Sequence, residues 1–402
     1  MADQRGTQID RVQMSNPPSA RKPFYEFFAG GGMARAGLGE AWECVFANDI
    51  DAKKRASYAA NWGAEHLTAG SVADLTTADL PGRAAALAWA SFPCQDLSLA
   101  GDYAGLKGKR SGTFWPFWRL MKALNDEERG LPLVVLENVC GALTSHGGKD
   151  FAAIGAALAG SGYRFGALVM DAVHFVPQSR PRLFIVGVRR DLPIPERLMM
   201  AQPNGFWHPA QLCAVYVKLS KKAKDAWVWW KLPFPPARKQ IFSDLVEDDP
   251  QGVPWHTAAE TRRLLEMMSP INRKKVEEAK RAGLRMVGGI YKRTRKDENG
   301  ERVQRAEIRF DDLAGCLRTP VGGSSRQSIM IVEGKKVRSR LLAPREAARL
   351  MGLPDSYKLP ENYNEAYHLA GDGLVVPVVS FLAAHVLEPV LAAQEVCERA
   401  VA

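Results

Sequence analysis

Between Pro23 and Arg190, short apolar runs alternate with stretches whose apolar residues fall at helical spacing. "FYEFFA", "WECVFAND", "AAALAWAS", "LPLVVLEN" and "RPRLFIVGVR" are near-continuous apolar runs, the pattern of strands buried on both faces. Helix-compatible segments separate them, such as "AKKRASYAANW" after the second run. This alternation predicts an α/β fold: a doubly wound, mostly parallel sheet with helices on both faces.

After about Asp191 the pattern breaks. Prolines crowd the chain up to Pro254, and tryptophans cluster in "AWVWWK". A basic helical stretch follows, then "MVGGIYKRTRKDENGERVQRAEIRF", which predicts a β-hairpin turning at or near Asn299-Gly300. The expected organisation is a disordered tail over 1–22, a cofactor-binding catalytic domain over 23–190, a smaller, irregular, basic domain over 191–340, and a return segment over 341–402 that completes the first core. "LVVPVVSFLAAHVLEPVLAA" is greasy, but its two prolines, His385 and Glu388 predict a buried helix and no membrane span.

Charge sharpens this picture. The 402-residue chain carries a formal net charge of +10. Arg262 to Arg309 holds 15 Lys/Arg against seven Asp/Glu, a local excess of +8. A polyanionic partner fits such a run, which on its own reads equally well as a solvated helix face. The six cysteines are scattered, with no CxxC pair and no histidines at metal-ligand spacing. A disulfide framework or zinc site is therefore not expected, and a reducing cytoplasm is.

Candidate chemistry gathers at the ends of the apolar runs. "FFAGGGM" puts Gly30, Gly31 and Gly32 between a strand and a helix, where backbone can approach a ligand closely. Asp49 ends the next strand and could accept from both hydroxyls of a ribose, so the pair suggests adenosine binding. Arg35 stands where a dinucleotide fingerprint would have its third glycine, which argues against a nicotinamide oxidoreductase. In "ASFPCQDLSLAG", Cys94 follows a strand and Pro93 instead of sitting in the core. A thiol there is a candidate nucleophile. Gly101, Gly105, Gly108 and Gly112 suit the following loop to closing over a substrate. "LVVLENV" ends in Glu137, a proton donor or hydrogen-bond partner, and "VPQSRPRLFIVG" supplies Gln178, Arg180 and Arg182. Nucleophile, acid and cation thus fall at strand ends of one sheet.

In this order, "FFAGGGM", "FANDID", "SFPCQDLS", "LENV", "VPQSRPRLFIVGV", "REAARLMGLPDSY" and "AGDGLVVPVV" resemble the motifs of the C5-cytosine DNA methyltransferases. The resemblance covers most of 24–390 except the basic insert. It implies a Rossmann-like methyltransferase fold with a target-recognition domain, and S-adenosylmethionine as cofactor. It places Phe28, Ala29, Gly30, Gly31 and Met33 in the cofactor site, with Asp49 on the ribose, Ile50, Ser71 and Val72 around the adenine, and Pro93, Phe114, Asp372 and Leu374 nearby. It implies Cys94 as covalent nucleophile, Glu137 at the cytosine edge, and Arg180 and Arg182 as the cations of the catalytic set. Gln95, Ser98, Asn138, Gln178, Thr319, Gly322 and Gly323 would serve substrate binding, Asn138 by positioning the Pro-Cys loop. Ser71 departs from the family's usual aspartate and Asp372 from its usual asparagine.

The chemistry explains the residue types. Cytosine C5 is a poor nucleophile until a thiolate adds at C6 and makes it enamine-like. The displaced electron density must be met at N3 and O2 by an acid and a cation. A stacked base is out of reach, so it must be flipped out. The expected partner is double-stranded DNA bound by a monomer, the basic domain neutralising phosphates and reading base edges. A cognate restriction endonuclease is a further candidate partner. A tRNA cytosine-5 methyltransferase is the alternative, and the long basic insert favours the duplex. A non-catalytic DNA-binding homologue would be expected to lack Cys94 or Glu137.

Overall fold

The computed structural model describes residues 21–82, 85–93, 111–296, 299–319 and 326–401. Cys94, Gln95, Ser98, Gly101, Gly105, Gly108, Gly322, Gly323 and all but the last two residues of the expected tail lie outside them. The main sheet holds β1 (Lys22–Phe27), β2 (Trp42–Asp49), β3 (Leu67–Ala69), β4 (Leu87–Ala90), β5 (Leu133–Val139), β6 (Tyr163–Asp171) and β7 (Pro181–Arg189), in the order β3-β2-β1-β4-β5-β7-β6. Pairings from β3 through β5 are parallel, whereas β7 runs antiparallel between β5 and β6. The sheet is therefore mostly parallel. The order reverses between β1 and β4, the place where doubly wound sheets bind ligands.

Both faces of this sheet are covered, as the unbroken apolar runs require. In β5, Leu133 and Val135 enter one core, and Val134 and Leu136 the other. The first core receives α1 (Met33–Leu38) and Tyr58 of α2 (Ala52–Trp62); the second receives α3 (Phe114–Asp126) and α4 (Lys149–Gly160).

Residues 191–245, grouped with the basic unit by composition, pack on this sheet. Leu198, Trp207, Trp230, Leu232 and Phe242 join the first core, and Leu212, Val215 and Trp229 the second. The stretch carries β8 (Met199–Met200), α5 (Ala210–Val217), α6 (Lys221–Asp225), β9 (Trp229–Trp230) and α7 (Phe242–Leu245), with β8 and β9 paired. The tryptophan cluster is core: Trp227 and Trp229 lie 5.1 Å apart between ring centroids, beside Tyr216.

The second sheet has the order β11-β10-β12-β13, all antiparallel, from β10 (Arg285–Lys296), β11 (Arg302–Arg309), β12 (Ser328–Glu333) and β13 (Lys336–Leu341). Helices α8 (Ala258–Glu266) and α9 (Pro270–Ala282) cover one face through Leu264, Met268, Val276 and Ala279. On β12, Met330 and Val332 turn to these helices, while Ile329 and Ile331 join the main core. Gly300 lies just before β11 with φ +80°, a left-handed conformation that glycine adopts without a Cβ clash. The 292–296 and 302–305 ends of this hairpin are largely exposed.

The chain returns through α10 (Pro344–Leu350), α11 (Tyr363–Asp372), α12 (Val376–Leu382) and α13 (Glu388–Val401), with a π-helical turn over Ala383–Leu387. Val378, Val379, Leu382, Val386 and Leu387 bury into the main core, which accounts for the greasy composition.

A wholly buried ion pair ties β13 of the second sheet to α10. Arg340 of β13 donates to both oxygens of Glu346 in α10 (2.8 and 2.6 Å) and to the Glu247 carbonyl. Glu346 also accepts from the amides of Glu247 and Ala343. Removing one member of such a pair strands a buried charge. Arg340→Met is expected to destabilise the fold by about 3–5 kcal/mol, read as a lowered urea midpoint.

Candidate active site

β1 ends in a reversal that only certain residues tolerate: Phe28 has φ +56°, and Gly30 φ +57°. A Cβ at Gly30 would meet nothing within 4 Å, whereas one at Gly31 would strike the Tyr357 hydroxyl at 2.4 Å. Gly30 thus lines open space while Gly31 is packed from behind. Asp49, at the end of β2, accepts from the Gly30 amide through Oδ2 and from the Asp51 amide through Oδ1, both at 2.8 Å. It fixes the loop, and each oxygen keeps lone-pair capacity for a hydroxyl.

Beside it Ile50 is 70% exposed, an aliphatic side chain open to a flat ring. Ala29, Met33, Val72, Phe114 and Leu374 are buried around this edge. The Ser71 hydroxyl caps the following turn by accepting from the Ala73 amide. Gly373 packs so tightly on Met33 that a Cβ there would lie 2.1 Å from Sδ, which brings the end of α11 against the glycine turn. Asp372 forms an ion pair with Lys54 at 2.9 Å and accepts from the Thr319 hydroxyl. An open glycine turn, a ribose-competent carboxylate and an exposed aliphatic platform fit a nucleoside cofactor.

The second group lies at the ends of β4, β5 and β7. Glu137 pairs with Phe184 across the ladder and Arg182 with Val139, so the two side chains are diagonal neighbours on one face. Arg182 Nε stands 3.4 Å from Glu137 Oε1. Burial raises the Glu137 carboxyl above the ordinary range, and Arg182, Arg180 and a hydrogen bond with Ser91 offset only part of that. Asn138 donates to the Phe92 carbonyl (3.1 Å), which holds the chain just ahead of Pro93 and the cysteine that follows.

Two expected site residues, Arg180 and Gln178, act as fasteners that support the pocket. Arg180 was expected among the catalytic groups. It is buried, and its two Nη atoms donate to the carbonyls of Leu317 (3.0 Å), Gly371 and Gly373 (both 2.8 Å), which makes it a positioning residue. Gln178, expected at the substrate, is fully buried; it donates to the Leu350 carbonyl and accepts from the Leu317 amide. Together they pin the segment ending at Thr319 to the sheet edge.

Sequence reasoning missed three neighbours. Ser91 hydrogen-bonds Glu137, and Lys54 meets Asp372. Cys316 lies 3.4 Å from Arg180 and 4.0 Å from Arg182; burial works to raise its thiol, but the two guanidiniums outweigh it and hold the thiol below its ordinary value. Only Ser91, adjacent to the strand that carries the Pro-Cys pair, left a local signal. By contrast, burial pushes Cys140 up to about 11.

Residues 23–388 match the family described as C-5 cytosine-specific DNA methylase. The chain belongs to that family. Among its relatives, the Type II methyltransferase M.HhaI of Haemophilus parahaemolyticus is 26% identical over 365 residues, covering 90% of this chain and 92% of that one. M.BsuFI of Bacillus subtilis is 26% identical over 373 residues, covering 92% and 74%. Among solved structures, S. pombe Dnmt2 superposes with a TM-score of 0.56 at 16% identity, covering 92% of this chain and 99% of that one, a likeness of fold alone. As a C-5 cytosine methyltransferase the protein uses S-adenosylmethionine, a nucleoside cofactor.

In this methyltransferase, Arg182 lowers a carboxyl that burial raises. Arg182→Met should push the Glu137 titration to still higher pH. Infrared difference spectra, with Glu137→Gln to assign the protonated-carboxyl band, should show that band persisting to higher pH than in the unmodified protein.

Proposed function

We propose that this chain is a DNA (cytosine-5-)-methyltransferase acting as a monomer on double-stranded DNA in the cytoplasm, with Cys94 as covalent nucleophile. The observation that carries the reading is the buried Glu137–Arg182 pair at the sheet edge, next to the Phe92 carbonyl that Asn138 holds. A carboxyl whose proton affinity burial raises can serve as the proton donor to ring nitrogen N3, and the neighbouring guanidinium can meet charge at O2.

On this reading the Cys94 sulfur bonds to C6 of a flipped-out cytosine while Glu137 supplies the proton at N3, so the electron pair gained by the ring rests at C5. The glycine turn and Asp49 would hold S-adenosylmethionine, which would supply the methyl group for C5, its sulfonium–methyl bond breaking to leave the uncharged thioether. Loss of the C5 proton to a base then re-forms the C5–C6 double bond as the thiolate leaves, and the N3 proton returns to Glu137. Arg182 stays against O2 throughout. Asn138, Gln178 and Arg180 keep the Pro-Cys approach and the Thr319 segment in place.

The exposed hairpin of β10 and β11 supports a duplex substrate. Lys292, Arg293, Arg295, Lys296, Arg302 and Arg305 stand on it. Arg293 and Arg295 share a single acid, Glu307, so the hairpin keeps an excess of positive charge. Such a projecting basic ribbon matches phosphate neutralisation with groove contact. Partnership with a restriction endonuclease belongs to the same reading and follows from the Type II names of the relatives.

A duplex carrying 5-fluorocytosine at the target position should trap the protein covalently in the presence of S-adenosylmethionine, because fluorine cannot leave as a proton does. Mass spectrometry should place the adduct on the peptide containing Cys94. Cys94→Ser should lose the adduct and methyl transfer while retaining DNA binding. A Cys94→Ser variant that methylates at the unmodified rate, or trapping only on tRNA, would overturn the assignment.

A further inference from the structure

Asp372 sits at the end of α11 in a setting unusual for an extra negative charge. Its main chain is clamped on both sides, since Arg180 holds the carbonyls of Gly371 and Gly373. Its side chain is also steered: Oδ2 lies 2.9 Å from Lys54 Nζ, and Oδ1 accepts from the Thr319 hydroxyl. The following residue, Gly373, packs against Met33 behind the glycine turn.

Lys54 projects from the first turn of α2, whose N-cap is Asp51, two residues after Asp49. It is therefore a cation among three carboxylates. Burial works to lower Lys54, but Asp372, Asp49 and Asp51 outweigh it and keep the amine charged. Burial likewise works to raise Asp372, but Lys54, the Thr319 bond and Arg180 hold it below the ordinary carboxylate range. Arg55 is a second cation here, bonded to the carbonyls of Asp49 and Ile50. Arg180 is a third cation near Asp372, so three carboxylates face three cations on this rim.

We propose that the Lys54–Asp372 ion pair sets how strongly this site prefers a nucleoside bearing a sulfonium over the same nucleoside as an uncharged thioether. This rests on the reading that the glycine turn, Asp49 and Asp372 border the cofactor. S-adenosylmethionine carries a net charge of about +1 and S-adenosylhomocysteine about 0 at neutral pH, while their adenosine and amino-acid parts are the same. A change in rim charge therefore acts on the first ligand and leaves the second nearly untouched. Asp372→Asn removes one negative charge and leaves Lys54 without this partner, yet keeps an acceptor for Thr319. Lys54→Gln does the reverse.

The test is calorimetric binding of both ligands to the full chain, without DNA, so that no turnover is needed. Asp372→Asn should weaken S-adenosylmethionine by about tenfold, and Lys54→Gln should tighten it several-fold, with S-adenosylhomocysteine changing less than about twofold in each. The double variant should return to near the unmodified ratio. These opposite signs distinguish a charge effect from a packing defect, which would weaken both ligands together. Thermal unfolding checks the fold, and Lys54→Gln supplies an independent arm should Asp372→Asn prove unstable. Equal shifts for the two ligands, or no shift, would overturn the proposal. An unmodified protein that binds neither ligand would overturn the cofactor-site reading itself, and this proposal with it.

Discussion

A buried guanidinium that answers to three main-chain carbonyls holds the functional edge of this molecule together. Arg180 lies just before β7, yet its donors reach Leu317, next to the segment returning from the basic sheet, and Gly371 and Gly373, at the end of α11. These segments are far apart in sequence. Hydrogen bonds from a charged donor contribute about 1.5–3 kcal/mol each. They also have direction, so the arginine sets position as well as contributing stability. Gln178 adds a second tie to Leu317 and a tie to α10. The return of the C-terminal helices to the first core is thus the step that completes the site.

Desolvation then supplies the chemistry. The same packing that brings α10 to α12 over the sheet removes water from Glu137 and leaves Arg182 beside it. Burial favours the neutral carboxyl while the guanidinium favours the charged one, and burial prevails. An acid and a cation side by side, neither cancelling the other, is what a ring gaining electron density requires. Across the β1–β4 reversal the glycine turn follows a different economy: its side chains are small or open, and the charged groups form a rim around it.

Much of this was legible in the chain because strand ends carry local signatures. The apolar runs ending in Asp49, Pro93 and Glu137 located three of the strands that build the edge, and Asn299-Gly300 located the hairpin turn. What escaped was tertiary. Apolar periodicity says nothing about strand direction, so the antiparallel course of β7 was hidden. The tryptophans of 227–230 read as an irregular unit because aromatic residues cluster in cores and on surfaces alike, yet they pack on the main sheet. Arginine type alone cannot distinguish a side chain beside a buried carboxyl from one bonded to carbonyls, which separates Arg182 from Arg180. Cys316 and Lys54 gain meaning only from partners distant in sequence.

The most direct test of the account is a crystal structure of the protein with S-adenosylhomocysteine and a trapped DNA duplex. The account predicts one cytosine flipped into the edge between Pro93 and the Glu137–Arg182 pair, bonded at C6 to the Cys94 sulfur, with Arg180 still on its three carbonyls. A base bound elsewhere, or Arg180 released from Leu317 and Gly373 to face the pyrimidine, would contradict it.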